Sequence, residues 1–170
     1  SSDIRDLVSS LPNTNGYVTC SFGLWLMGGD WSHRKRARAV VRKISSNFDQ
    51  ALSSYFGAHT PDPVAASGAH ADYVAALREH GVAVDVLPGL SEHPDCTFVE
   101  DAAIVVGGVV VIPNMGHHSR EGEQAIIREV LSEHLEVMEM PQGATMDGGD
   151  AIFVDDQYLL GLSTRTNAAG

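Results

Sequence analysis

Positive charge is scarce in this chain: 11 Lys and Arg stand against 22 Asp and Glu, for a formal net charge of −11. Nucleic-acid grooves and anionic membrane surfaces are met by clustered Lys and Arg, so this balance argues against both partners. It would instead attract a small cationic ligand. Cysteine is scarcer still, and Cys20 and Cys96 stand in unrelated contexts. They make neither a disulfide framework nor a metal knuckle, which leaves a reducing, cytoplasmic setting as the default. No apolar run is long enough to span a bilayer. What the chain does contain, at 170 residues and 44% hydrophobic content, is enough apolar material for the core of one ordinary globular domain.

The stretch from Pro94 to Asp101, Pro-Asp-Cys-Thr-Phe-Val-Glu-Asp, sets three carboxylates around an apolar segment. Packing gives no reason to crowd Asp95, Glu100 and Asp101 together, because like charges repel and each carboxylate is costly to desolvate alone. A cationic ligand would offset that cost. A second stretch, Thr145 to Asp150, places Asp147 and Asp150 around a glycine pair and feeds another apolar run, Ala151 to Val154. The chain reads as a scaffold that points acids from strand ends at one pocket.

Residues 1–37 form a poorly defined N-terminal extension. Turn chemistry lies at 13–16 and an apolar run at 22–27, but the basic residues follow that run at 34–38, which opposes a signal peptide. Met27 as a natural start is the blander account. From residue 38 the pattern is that of one α/β domain. Residues 39–42 are a buried strand, Pro61 to Pro63 breaks a loop, 66–80 is a helix closed by Gly81, and 82–87 alternates as a strand. Residues 102–106 and 109–112 are strands joined by Gly107 and Gly108. Ser119 is the expected N-cap of a helix whose first turn holds Glu121 and Glu123 and whose apolar face runs from Ala125 to Leu131. Strands follow at 135–140, 151–154 and 158–162, and Asn167 is placed to begin a helix. Asp101 with two strands and Ser119-Arg120 matches Asp150 with two strands and Thr164 to Thr166, which is a repeat of strand, strand, helix, strand. The third unit is cut short at residue 170.

Four motifs in order carry a resemblance: Pro94 to Asp101, Ser119-Arg120, Ala144 to Asp150, and Gly161 to Asn167. Together they resemble the dimethylarginine dimethylaminohydrolases, of the guanidino-modifying superfamily that includes arginine deiminases and amidinotransferases. The resemblance implies a five-bladed, pseudo-symmetric α/β propeller (pentein) of ββαβ units, with about the first half present. It implies hydrolysis of N-methylated arginine to citrulline and a methylamine, without metal or organic cofactor. Asp101 then grips the substrate guanidinium through paired hydrogen bonds, with Asp95 and Glu100 as helpers. Arg120 and Arg165 hold the substrate's α-carboxylate, and Asp147 orients a catalytic histidine. The nucleophilic cysteine and that histidine are expected beyond residue 170, so the chain alone is expected to be inactive. A homodimer is compatible with this reading. Another guanidino-group hydrolase, an amidinotransferase, or a non-catalytic arginine-binding fragment is the alternative.

Plainer readings stand beside these. Asp101 and Asp150 could cap strand-end amides, Arg120 and Arg165 could be surface residues, and Asp147 could belong to a simple turn. His117 and His118 are adjacent in a loop, where they are expected to point apart, and they make a poor metal pair. Cys96 is read as a buried structural thiol, since neighbouring Asp95 would raise its pKa.

Overall fold

The computed structural model describes residues 17–19, 38–52, 60–106, 108–154 and 157–170. The features read at 1–16 and 20–37, at Gly107 and at 155–156 lie outside the described residues. Strands β1 (Tyr17–Thr19), β2 (Arg38–Arg42) and β3 (Ala83–Leu87) form a parallel sheet in that order, with Val40 opposite Asp85. Helix α1 (Pro63–Glu79) makes the crossover between β2 and β3. It begins three residues before the expected position. Asp62 is extended, and its Oδ1 accepts from Val64 N at 2.8 Å and Ala65 N at 3.2 Å, with Pro63 at the first helical position. Pro61 to Pro63 is therefore a helix start, where proline's missing N–H is no loss, and not only a loop breaker. At the other end Gly81 takes φ +80°, a conformation that suits glycine.

The second sheet holds β4 (Ile104–Val106), β5 (Val109–Ile112) and β6 (Glu136–Glu139). β4 and β5 are antiparallel, with Val106 opposite Val109, and β5 runs parallel to β6. Helix α3 (Gln124–Ser132) makes that crossover, so β4–β5–α3–β6 realises the expected strand, strand, helix, strand unit. A further antiparallel pair, β7 (Ala151–Val154) and β8 (Gln157–Leu160), opens the next one. β8 leaves out the expected Gly161 and Leu162, and β4 begins at Ile104 because 99–102 are helical.

Ser119 does not cap α3. Residues 118–120 form a separate 3-10 turn, the Ser119 hydroxyl bonds His117 Nδ1 at 2.8 Å, and Gly122 at φ +101° interrupts any continuous helix. Glu121 and Glu123 accordingly precede the helix. His117 and His118 do not point apart either, since their rings stack with centroids 4.6 Å apart.

One apolar core joins the first two sheets: Val40 and Leu87 from the first, Val110 and Ile112 from the second, and Ile127 and Leu131 from α3. The short helix α2 (Val99–Ala102) is wedged into it. Val99 and Ala102 are three residues apart, so they share a face and are fully buried there. That packing directs Glu100 and Asp101 the other way.

Candidate functional site

The acids gather around one buried arginine. Arg120 is 1% exposed and sits in the 3-10 turn His118–Arg120. Its Nη1 donates to Asp101 Oδ2 at 2.5 Å and lies 3.7 Å from Asp147 Oδ2. Its Nη2 and Nε donate to the Glu123 carboxylate, at 2.8 Å for the Nη2 bond, and Nη2 also reaches the carbonyls of Asp95 and Phe98. Burial pulls the Arg120 pKa down, but the hydrogen bonds and charge of Glu123 and Asp101 outweigh it and the net direction is up. The guanidinium stays charged.

Asp147 approaches from the segment before β7. Its Oδ1 accepts from Gly116 N at 3.3 Å, and its Oδ2 lies 3.0 Å from Arg165 Nε in an ion pair that lacks an aligned hydrogen bond. Burial pushes the Asp147 carboxyl above the ordinary range and the charge of Asp101 adds to that push, with Arg165 and Arg120 opposing it. Three carboxylates and two guanidinium groups are thus brought within one cluster, and Arg165, 29% exposed, is its more open cation.

The glycine pair has a steric purpose here. A Cβ on Gly148 would fall 1.9 Å from the Glu100 carbonyl oxygen, and Gly149 N donates to Asp101 Oδ1 at 2.9 Å. Only residues without a side chain let this backbone pass so close to α2. Asp101 is thereby fixed from two sides, by Arg120 and by the Gly149 amide.

The remaining expected residues lie at the margin of the cluster. Asp95 is buried, and both its carboxylate oxygens accept from Leu52 N, so it ties down the chain after β2. Glu100 is half-buried beside the Gly148 backbone. Asp150 accepts from Ser163 Oγ at 2.7 Å and Thr166 Oγ1 at 2.5 Å, while Thr166 Oγ1 accepts from Asp147 N, so Asp150 organises the Arg165 loop.

Three participants escaped the sequence reading. Glu123 stands three residues after Arg120, a spacing that suits an ion pair along a helical turn, although its place along the chain points only to helix-dipole chemistry. Thr166 carries no distinguishing local signal. Arg42, fully buried at the end of β2, donates to the carbonyls of Pro88 and Glu123, and burial pushes its pKa down. It ties the first sheet to the start of α3. Cys96 is buried with its sulfur accepting from Leu90 N, and desolvation, ahead of any neighbouring carboxylate, pushes the thiol up.

Residues 63–170 match the model of the family described as N,N dimethylarginine dimethylhydrolase, eukaryotic. The chain belongs to the dimethylarginine dimethylaminohydrolase family. Dimethylarginine dimethylaminohydrolases of Pseudomonas aeruginosa and Streptomyces coelicolor are 35% and 32% identical over 138 and 134 residues. Each alignment covers nearly four fifths of this chain, 79% and 78%, and 52% of the relative. The chain thus spans about half the length of the curated relatives it matches. The solved Pseudomonas aeruginosa enzyme complexed with citrulline superposes with a TM-score of 0.73 at 30% identity, covering 79% of this chain and 53% of that one. The N-terminal domain of a cyanobacterial arginine dihydrolase shares the fold, with a TM-score of 0.65 at 21% identity over 77% of this chain and 51% of that one. The α/β architecture is common to all of them.

Proposed function

We propose that this chain carries the guanidinium-binding face of an enzyme that hydrolyses N-methylated arginine to citrulline and a methylamine. The observation that carries the reading is the guanidinium nitrogen already lodged between Asp101 and Asp147, 2.5 Å from one and 3.7 Å from the other. Burial and the charge of Asp101 raise the cost of ionising Asp147. A planar cation between the two acids relieves that cost, and a substrate guanidinium is such a cation. Asp101 is the clamp, and Asp147, with an Oδ2 that has no aligned hydrogen bond, orients the histidine base. Asp95 and Glu100 support the pocket.

The two arginines differ in this reading. Arg165 takes the substrate's α-carboxylate, being the accessible one. Arg120, expected in the same role, is sealed under its own carboxylate and carbonyl partners and holds Asp101 in place. The nucleophilic cysteine and the histidine lie outside these 170 residues. In the reaction a cysteine thiolate attacks the guanidinium carbon, the amine leaves, and water releases citrulline, with the histidine moving protons. Cys96 is unsuited to that attack, since its buried thiol is pushed toward the neutral form. Residues 38–170 then form the first part of a five-bladed propeller, joined by β1 from within the stretch expected to be an extension, which pairs with β2, in a cytoplasmic enzyme that uses no metal or organic cofactor.

The test uses the enzyme extended to the length of its relatives. It should release citrulline from dimethylarginine, and the 170-residue chain alone should not. Asp101→Ala should weaken arginine-type ligands by about 2–5 kcal/mol, the usual loss when one partner of a desolvated charge pair is removed. Arg165→Ala should weaken ligands bearing an α-carboxylate and spare a simple alkylguanidine. Equal affinity of the Asp101 variant and the parent would sink the clamp assignment.

A further inference from the structure

A groove of about 480 Å³ lies between α1 and the sheet, lined by Lys43, Ser67, His70, Val74, Arg78 and Val86 together with Ile44 and Ala71. It shares no lining residue with the cluster around Arg120. Its origin is side-chain size. α1 turns Ser67 and Ala71 toward the sheet where a core-facing helix ordinarily carries large apolar residues, and only His70 and Val74 of the helix are buried.

The groove also reverses the charge of the molecule. Among the described lining residues Lys43 and Arg78 are cationic and none is acidic, in a chain whose formal net charge is −11. Asp85, the acid next to Val86 on β3, is paired with Arg38 at 2.9 Å, and alternation along the strand sets it on the opposite face from Val86. Arg78 gives one N–H to the Val84 carbonyl at 3.3 Å, out of the five a guanidinium carries. Beneath these cations the wall is apolar, formed by Ile44, Ala71, Val74 and Val86.

We propose that this groove binds a small organic anion with an apolar body, of the aryl- or alkyl-carboxylate class. The carboxylate sits between Lys43 and Arg78, and the body lies on Ala71, Val74 and Val86. His70, 8% exposed, forms the inner wall. Burial and the nearby Lys43 charge lower its pKa, while a bond to the Arg42 backbone opposes them. Among the described residues, the titratable and charged groups lining the groove are Lys43 after β2, Arg78 on α1 and His70 itself, with no carboxylate from β3. An anion arriving beside Lys43 opposes the charge that lowers the His70 pKa, so binding raises it.

The experiment follows the His70 ring resonances by NMR during titration with 4-phenylbutyrate, with neutral 4-phenylbutanol and with inorganic phosphate. Phenylbutyrate should give a saturable shift and an upward move of the His70 titration, and both other probes should bind more weakly. Lys43→Met and Arg78→Met should each weaken phenylbutyrate about tenfold, as loss of a charge-assisted hydrogen bond does. Arg128→Met, which removes an exposed cation on α3, should change nothing and controls for net charge. Both test positions are exposed, and the free His70 resonance reports whether each variant keeps the fold. Absence of a saturable shift, an equal response to phenylbutanol, or undiminished binding in both variants would overturn the site. Phosphate binding as tightly as phenylbutyrate would overturn the apolar half of the proposal.

Discussion

The two crossover helices do the same topological job with opposite means. α1 has 17 residues and buries His70 and Val74, whereas α3 has nine and buries Ile127 and Leu131 completely. Length does not measure a helix's contribution to the core. α3 repeats its apolar residues every three to four positions and drives two of them into the cluster shared by both sheets, while α1 is rich in alanine and leaves a groove. The second unit therefore anchors the site, and the first has surface to spare.

Disturbing the anchored side should have the largest effect. Arg120→Met strands Glu123 and Asp101 without their cation and should cost about 3–5 kcal/mol in urea unfolding. A loss below 1 kcal/mol would mean that the cluster is not the tight network described. In α3, Leu131→Ala should cost about 2–5 kcal/mol by the same measurement. Val74→Ala, its counterpart in α1, removes two buried methyl groups and should cost about 1.5 kcal/mol. Equal losses at the two positions would erase the contrast between the helices.

A smaller effect, dependent on pH, is expected at Asp147. Its pKa in the folded state is raised by burial and by Asp101, so the folded chain holds this proton more tightly than the unfolded chain does. The stability linked to it is fully present below the ordinary Asp range and is lost as pH rises through the folded pKa. Asp147→Asn should thus melt at a higher temperature than the parent at neutral pH, with the gap closing in acid. A variant melting lower at neutral pH would show that the ion pair to Arg165 dominates. Smallest of all, Val64→Ser in the first turn of α1, where the side chain is 82% exposed, should stay within about 0.5 kcal/mol of the parent.

Local order is legible along the chain: the apolar pattern locates β2, β3 and the β4–β5 hairpin to within two residues, and helical spacing finds α1 and α3. Those are properties of neighbouring residues. Crowded carboxylates marked Asp101 and Asp147, while Arg120 and Arg165 stood out through the repeat and the family resemblance. Which partner each one has emerges only in the folded chain. Arg120 and Arg165 look alike along the chain, yet one is sealed by Glu123 and Asp101 and the other stays open beside Asp147. The buried Arg42, 81 residues from the Glu123 carbonyl that it holds, carried no local mark of that role. Burial and pairing depend on segments far apart in sequence meeting in space, and no local pattern encodes that meeting.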